Sequence, residues 1–162
     1  MINHSVRPAD DEIEKTVKSY YDMLFKLCFA ILANCADAED AVSDTFFKYI
    51  TKAPIFNGEE HKKAWLIRVS TNVCRSMQRF QIRHTAVNID DVTKLAADEH
   101  DKEIIECVMR LAPKYRSVLH LHYIEGYKAA EIASMTDLSV SAVKKRLQYA
   151  REKLRIEYDG GN

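Results

Sequence analysis

Between Glu125 and Leu154 the chain reads EGYKAAEIASMTDLSVSAVKKRLQYAREKL: two apolar-periodic segments parted by a short polar break. In the second segment Val140, Val143, Leu147, Ala150 and Leu154 recur at three and four residues, which predicts one buried stripe along a helix. Ser141, Lys145, Gln148 and Tyr149 then point away from the stripe, flanked by Lys144, Arg146, Arg151, Lys153 and Arg155. From 140 to 155 six cations face one acid, Glu152. With Glu131, Ile132 and Ala133 upstream, the spacing predicts a helix-turn-helix, whose second helix is shaped for the major groove of DNA. Lys145 and Gln148 are the candidates for reading base edges, and the flanking cations suit phosphates. Ser139 stands where an N-cap is wanted, so its hydroxyl serves either the helix or a phosphate. An amphipathic surface helix with a solvated basic face is the alternative.

Only four Gly and three Pro in 162 residues, with 47% apolar content, point to an all-α chain with one sizeable core or two small ones. Formal net charge is zero, which argues against indiscriminate nucleic-acid binding. The distribution is uneven: residues 61–84 hold six cations and no acid, 37–44 four acids and no cation, and 86–103 six acids against two cations. Different faces are therefore expected to meet different partners. Cys28, Cys35, Cys74 and Cys107 form no CxxC pair and have no ligand-spaced His, so no metal site is expected. Cys28, Cys74 and Cys107 read as small buried hydrophobes and Cys35 as a loop residue, in keeping with a reducing cytoplasm. No apolar run is long enough to span a membrane, and the N-terminal residues lack the apolar core of a secretion signal, so a cytoplasmic protein is expected.

Along the chain, Ile13 to Ala33 forms a long helical pattern with Val17, Tyr20, Tyr21, Leu24, Leu27, Cys28, Ile31 and Leu32 on its apolar face. Asp37 is a candidate N-cap for the next helix, where Glu39, Asp40 and Asp44 add negative charge near the positive end of the macrodipole. A turn containing Phe56, Asn57 and Gly58 leads to a third helix near His61 to Arg83. There Leu66, Val69, Val73, Met77 and Phe80 predict a buried stripe, and Arg68, Asn72, Arg75 and Arg79 a separate polar one with Trp65 at its edge. Guanidinium groups, an amide and an indole together suit single-stranded or melted nucleic acid, although a solvated basic face has the same spacing. Periodicity fades from Thr85 to Asp101 and resumes at Lys102. The expected organisation is thus two small helical domains, 1–84 and 102–162, joined by a flexible acidic linker, 85–101. Pro113 suits a first helical turn, and Glu125-Gly126 ends that helix. His120 and His122 sit among apolar residues without ligand-spaced partners.

The pieces and their order resemble a group IV bacterial sigma factor, the extracytoplasmic-function type of the sigma-70 family. YYDMLFKLCFAILANCADAEDAVSDTFFKYI, HKKAWLIRVSTNVCRSMQRF and LAPKYRSVLHLHYIEGYKAAEIASMTDLSVSAVKKRLQYAREKLR carry the likeness over nearly the whole chain. It implies a factor that binds core RNA polymerase and promoter DNA and confers promoter specificity without covalent chemistry or cofactor, under the control of an anti-sigma factor. Asp37, Glu39, Asp40 and Asp44 would dock on the polymerase clamp helices. Phe56, Asn57 and Gly58 would pocket a flipped base of the melted minus-10 strand, beside Trp65, with Asn72 reading the strand and Arg68, Arg75 and Arg79 steering its backbone. Ser139, Ser141, Ala142, Lys144, Lys145, Arg146, Gln148, Tyr149 and Arg151 would meet the minus-35 duplex. Three departures stand out: Pro113 comes one place late, Thr136-Asp137 fills a turn that usually carries Leu-Gly, and Ser141-Ala142 replaces Gly-Thr. The turn wants positive φ, which aspartate tolerates at some cost in stability, and the altered helix start implies a promoter preference of its own. Two rivals are a free-standing helix-turn-helix regulator of duplex operators and a helical adaptor that binds no DNA.

Overall fold

The computed structural model describes residues 7–80 and 89–160, all of its regular structure helical. Helix α1 spans Asp10–Leu32, α2 Cys35–Lys52 and α3 Glu59–Phe80. Asp10, Asp11 and Glu12 load the first turn of α1 with negative charge, where the macrodipole favours it. Ala33 ends the helix in the left-handed region at φ 57, its N–H closing on the Phe29 carbonyl. The reversal that follows is tight, and α2 is capped by Asn34, whose side chain accepts from the Asp37 N–H at 3.0 Å. The cap is thus Asn34 and not Asp37, because α2 starts three residues earlier than expected, taking in Cys35.

These three helices close around Leu24, Leu27, Cys28, Val42, Tyr49, Leu66 and Ile67, all at most 1% exposed. Tyr49 and Thr16 share a hydroxyl hydrogen bond of 3.1 Å inside this core. Lys62 is buried along its stem but reaches Glu12 at 2.6 Å, which satisfies its ammonium. Burial alone would lower its pKa, and the carboxylates of Glu12 and Glu59 with the Tyr49 ring and hydroxyl reverse that, leaving it raised. Leu66 and Val73 of the predicted stripe are buried, but Val69 and Met77 are only half-buried and Phe80, the last residue of α3, is 91% exposed.

The stretch expected to lack structure contains a short helix, α4 (Ile89–Leu95), and the first turn of α5 (Glu99–Met109). Asp91 is buried and its carboxylate accepts the Cys35 N–H at 2.8 Å, satisfying a donor of the first turn of α2. Helix α6 (Pro113–Leu119) has Pro113 in its first turn and widens into a π-helical turn, His120–Ile124, which ends at Gly126 with φ 77. Helices α7 (Ala129–Thr136) and α8 (Val140–Gly160) form the helix-turn-helix. Val143, Leu147 and Ala150 are buried beneath α8 and Leu154 packs at the edge, whereas Val140 is 40% exposed because the stripe runs off the core in the first turn. Cys28 and Cys74 are buried as expected, and the neighbouring Cys28 thiol together with burial raises the pKa of Cys74; Cys107 is only half-buried.

One residue ties the N-terminal helices to the C-terminal ones. Arg116 on α6 is 6% exposed, and its guanidinium donates to the carbonyls of Ala30 and Ile31 at the end of α1 and of Met109 and Leu111 beside α5. The carbonyls of Ala30 and Ile31 lie in the last turn of α1, where intrahelical partners run out and the macrodipole is negative, so a fixed cation suits them. Burial lowers its pKa to about 10, still far above neutrality. The hydrophobic cluster is continuous across this junction, from Leu27 and Ile31 to Val118 and Leu121.

Two outcomes follow. Arg116→Met leaves these carbonyls without their donor and costs about 1–3 kcal/mol by urea unfolding. His120 is held below its ordinary pKa by burial, aided by Lys26 and opposed by Glu125, whose carboxylate lies 3.8 Å from Nε2. The folded state therefore favours neutral imidazole, and its contribution is complete above about pH 6.5 and lost as pH falls through the lower folded-state value. Melting temperatures between pH 7.5 and 5 should fall less steeply for His120→Gln than for the natural chain.

Candidate nucleic-acid and polymerase interfaces

The turn between α7 and α8 determines how α8 is presented. Asp137 takes φ 56, in the left-handed region expected for this position, and its N–H bonds the Ala133 carbonyl. Ser139 caps α8, its hydroxyl oxygen accepting from the Ala142 N–H at 3.0 Å. Ser141, Lys144, Lys145, Gln148 and Arg151 are exposed, with the Gln148 amide 3.4 Å from Glu152 and Arg151 donating to the Tyr123 hydroxyl at 3.1 Å. Tyr149 stacks on Tyr115 with centroids 4.5 Å apart, so one ring face is already covered. Ala142 is half-buried. Arg146 is also half-buried and lines a cleft between α3 and the C-terminal helices, away from the row Ser141, Lys145 and Gln148.

At the other end, Phe56 lies half-buried in an aromatic group, 5.6 Å from the Trp65 ring, 6.3 Å from Tyr49 and 5.4 Å from His61. Trp65 is therefore partly a support for this loop, not a free platform. The Asn57 N–H donates to His61 Nδ1 at 2.9 Å, and Gly58 takes φ 104, a conformation that favours glycine. A cavity of about 320 Å³ opens here, bordered by Glu12, Tyr49, Pro54, Phe56, Gly58 and Lys62. Asn57 is exposed beside it and does not line it.

The polar stripe of α3 exists as expected, but α7 lies against it. Arg68 pairs with the Asp137 carboxylate and points a second nitrogen at the Ser134 carbonyl, 3.5 Å away. Arg75 sits 3.5 Å from the Thr136 carbonyl. Lys63 reaches Glu125 at 3.5 Å and stands 5.4 Å from the centre of the Tyr127 ring. Asn72 is half-buried between Arg68 and Arg75, and Arg79 is exposed. Sequence reasoning missed this arrangement, since a pattern along α3 carries no information about which surface faces it. The cleft lined by Arg75, Gln78, Lys114, Asp137 and Arg146 has a volume of about 290 Å³.

On α2 the acids Glu39, Asp40 and Asp44 are exposed and Asp37 half-buried. Phe47, one turn beyond Asp44, is 65% exposed on the same outward side. The sequence reading omitted it; its signal was an aromatic residue out of register with the inner face of Val42, Thr45, Phe46 and Tyr49. Among the described residues no helix is long and apolar enough to cross a membrane, and no group of three or more His, Cys, Asp or Glu could hold a metal ion.

The sigma-70 region 2 family model matches residues 16–84 and the sigma-70 region 4 model residues 101–154. The chain is 26% identical to the ECF RNA polymerase sigma factor SigW of Bacillus subtilis over 164 residues, covering 90% of this chain and 88% of the relative. It is 25% identical to the RNA polymerase sigma factor SigV of the same organism, covering 82% of each. Among solved structures, CnrH in complex with the cytosolic domain of CnrY superimposes with a TM-score of 0.71 at 25% identity, over 95% of this chain and 92% of that one. The sigma factor RpoE in complex with the anti-sigma factor NepR from Bartonella quintana gives 0.73 at 18% identity, over 92% and 98%.

Trp65, the single tryptophan, reports on the loop at Phe56. Phe56→Ala should shift its emission to the red and cost about 2–3 kcal/mol in denaturant unfolding, the half-buried ring standing at the low end of Phe-to-Ala losses. Unchanged emission would show that the two rings are not in contact.

Proposed function

Starting from a chain that belongs to the sigma-70 family, in its extracytoplasmic-function group, we propose how its surfaces divide the work of promoter recognition. The protein is an alternative sigma factor that directs transcription, with core RNA polymerase and promoter DNA as its partners. Residues 1–84 act as the polymerase-docking and minus-10 domain and 102–162 as the minus-35 domain, with 85–101 between them. The exposed row Ser141, Lys145 and Gln148 on α8, opposite the buried Val143, Leu147 and Ala150, carries this reading. A helix so presented lays its first two turns along base edges of the major groove, with Lys145 and Gln148 as hydrogen-bonding partners. Ser139, Lys144 and Arg151 meet phosphates beside it, and Ala142 and Tyr149 pack at its margin. Arg146 serves the DNA backbone once it leaves the cleft.

On α3, Asn72 reads the unpaired minus-10 strand while Arg68, Arg75 and Arg79 hold its backbone. Phe56, Asn57 and Trp65 form the rim that receives a base taken out of its stack. A free-standing regulator of duplex operators has no use for such a stripe. On α2, Asp37, Glu39, Asp40 and Asp44 dock on the polymerase clamp, and exposed Phe47 supplies an apolar anchor among them, as buried aromatics commonly do at interface centres. The protein performs no covalent chemistry and acts in the cytoplasm, polymerisation belonging to the core enzyme. The likeness to CnrH and RpoE, each solved with its partner, supports control by an anti-sigma factor.

The deciding experiment is run-off transcription with purified bacterial core polymerase on genomic fragments, with and without the protein. Discrete starts that depend on it are expected; their absence, with no co-purification of core, would favour the free-standing regulator. At a mapped promoter, Asn72→Ala should reduce open complexes while leaving core binding largely intact, whereas Asp40→Lys with Asp44→Lys should weaken core binding itself. Lys145→Ala should weaken duplex binding by about 1–3 kcal/mol.

A further inference from the structure

We propose that Asp137 is an internal competitor for the minus-10 strand: in the isolated chain its carboxylate occupies Arg68, so that part of the DNA-reading face of α3 is engaged by the protein's own helix-turn-helix. The inference rests on the assignment of Arg68 to the DNA backbone given above.

Three features make the end of α7 resemble a nucleic-acid backbone to the residues it faces. A carboxylate offers a guanidinium the same paired oxygens that a phosphate does, and Asp137 offers one to Arg68. The carbonyls of Ser134 and Thr136 belong to the last turn of α7, where the dipole is negative and intrahelical donors run out, and they face Arg68 and Arg75. Asn72, the strand-reading amide, lies half-buried between those two arginines. Two of the cations are therefore engaged together by one helix end, with the amide on the same stripe.

This arrangement is incompatible with promoter binding. Elements centred near minus-35 and minus-10 are separated by roughly 25 base pairs, or about 85 Å of B-form duplex at 3.4 Å each. A compact chain of 162 residues has a radius of gyration of about 15 Å. The halves must part before both elements are held, and parting them releases Arg68 and Arg75 from the end of α7. Arg116 and the apolar junction bind the halves whatever the ionic strength, while the Arg68–Asp137 pair is half-exposed on both sides, at 47% and 52%, and sensitive to salt. The pair is thus the adjustable part of the closure. The position suits this use: the turn requires positive φ, which glycine meets with no side chain, whereas aspartate meets it and adds the competing charge.

The test measures the affinity of the full chain for a fluorescein-labelled 12-nucleotide oligothymidylate at low salt, in the natural protein, Arg68→Ala, Asp137→Asn and the double variant. Asn and Gly both accept the left-handed turn, so Asp137→Gly serves as a second version in which folding is preserved. Asp137→Asn and Asp137→Gly should bind about two- to fivefold tighter, the scale of one exposed ion pair. Arg68→Ala should bind more weakly, and Asp137→Asn should bring no gain in the Arg68→Ala background, because the competition runs through that guanidinium. If Arg68→Ala weakens binding but Asp137→Asn leaves it unchanged, the internal competitor is wrong and the strand assignment stands. An equal gain from Asp137→Asn with and without Arg68 would reduce the effect to general charge and overturn the proposal. If Arg68→Ala changes nothing, the assignment of Arg68 to the strand fails and the competitor fails with it.

Discussion

The buried guanidinium of Arg116 is the interaction on which the arrangement of the whole chain depends. A planar cation with its donors in a fixed fork can satisfy several carbonyls at once, and here they come from two places far apart in sequence, the end of α1 and the α5–α6 junction. Taking such a charge out of water is costly, and it persists because the groups around it need donors that neither helix can supply. The contact also fixes geometry. With α6 seated on the end of α1, α7 lies along α3, and the helix-turn-helix meets the cationic stripe.

The stripe on α3 consequently has two kinds of neighbour in one protein. In the closed chain it meets a helix terminus and a carboxylate; in a promoter complex it would meet a strand of phosphates. Both are arrays of oxygen acceptors near negative charge, and guanidinium groups do not distinguish them strongly. What differs is reach: the protein partner is tethered and always at hand, whereas DNA binding requires the halves to separate. Coupling between them is then a matter of competing contacts, with no need for a change inside either half.

Much of the fold was legible because periodicity reports burial directly. Leu24, Leu27, Cys28 and Ile31 on α1, and Val143, Leu147 and Ala150 on α8, are apolar at helical spacing and are buried. Errors gathered where a pattern outran its partner. Phe80 and Val140 continue their stripes by spacing but lie at helix ends and are exposed. The short helix α4 was missed because seven residues give too little periodicity to detect, and Asp91, which looked like one more linker acid, is held by a backbone N–H of α2. The Asn34 cap was displaced to Asp37 because both residues have the chemistry of a cap and only the backbone chooses.

By itself the sequence determined the long helices, the exposed row on α8, the acidic start of α2 and the cationic stripe on α3, since each is a local pattern of side chains along one element. It also determined that the turn at Asp137 would take a left-handed residue, because chain reversal between two helices demands it. Only the tertiary structure decided that Arg116 joins the ends of α1 and α5, that Phe47 stands exposed beside the acids of α2, and that Asp137 faces Arg68 across 69 positions of chain. These are pairings between elements. Local spacing constrains which face of a helix is polar, but the partner of that face is selected by the packing of the whole core.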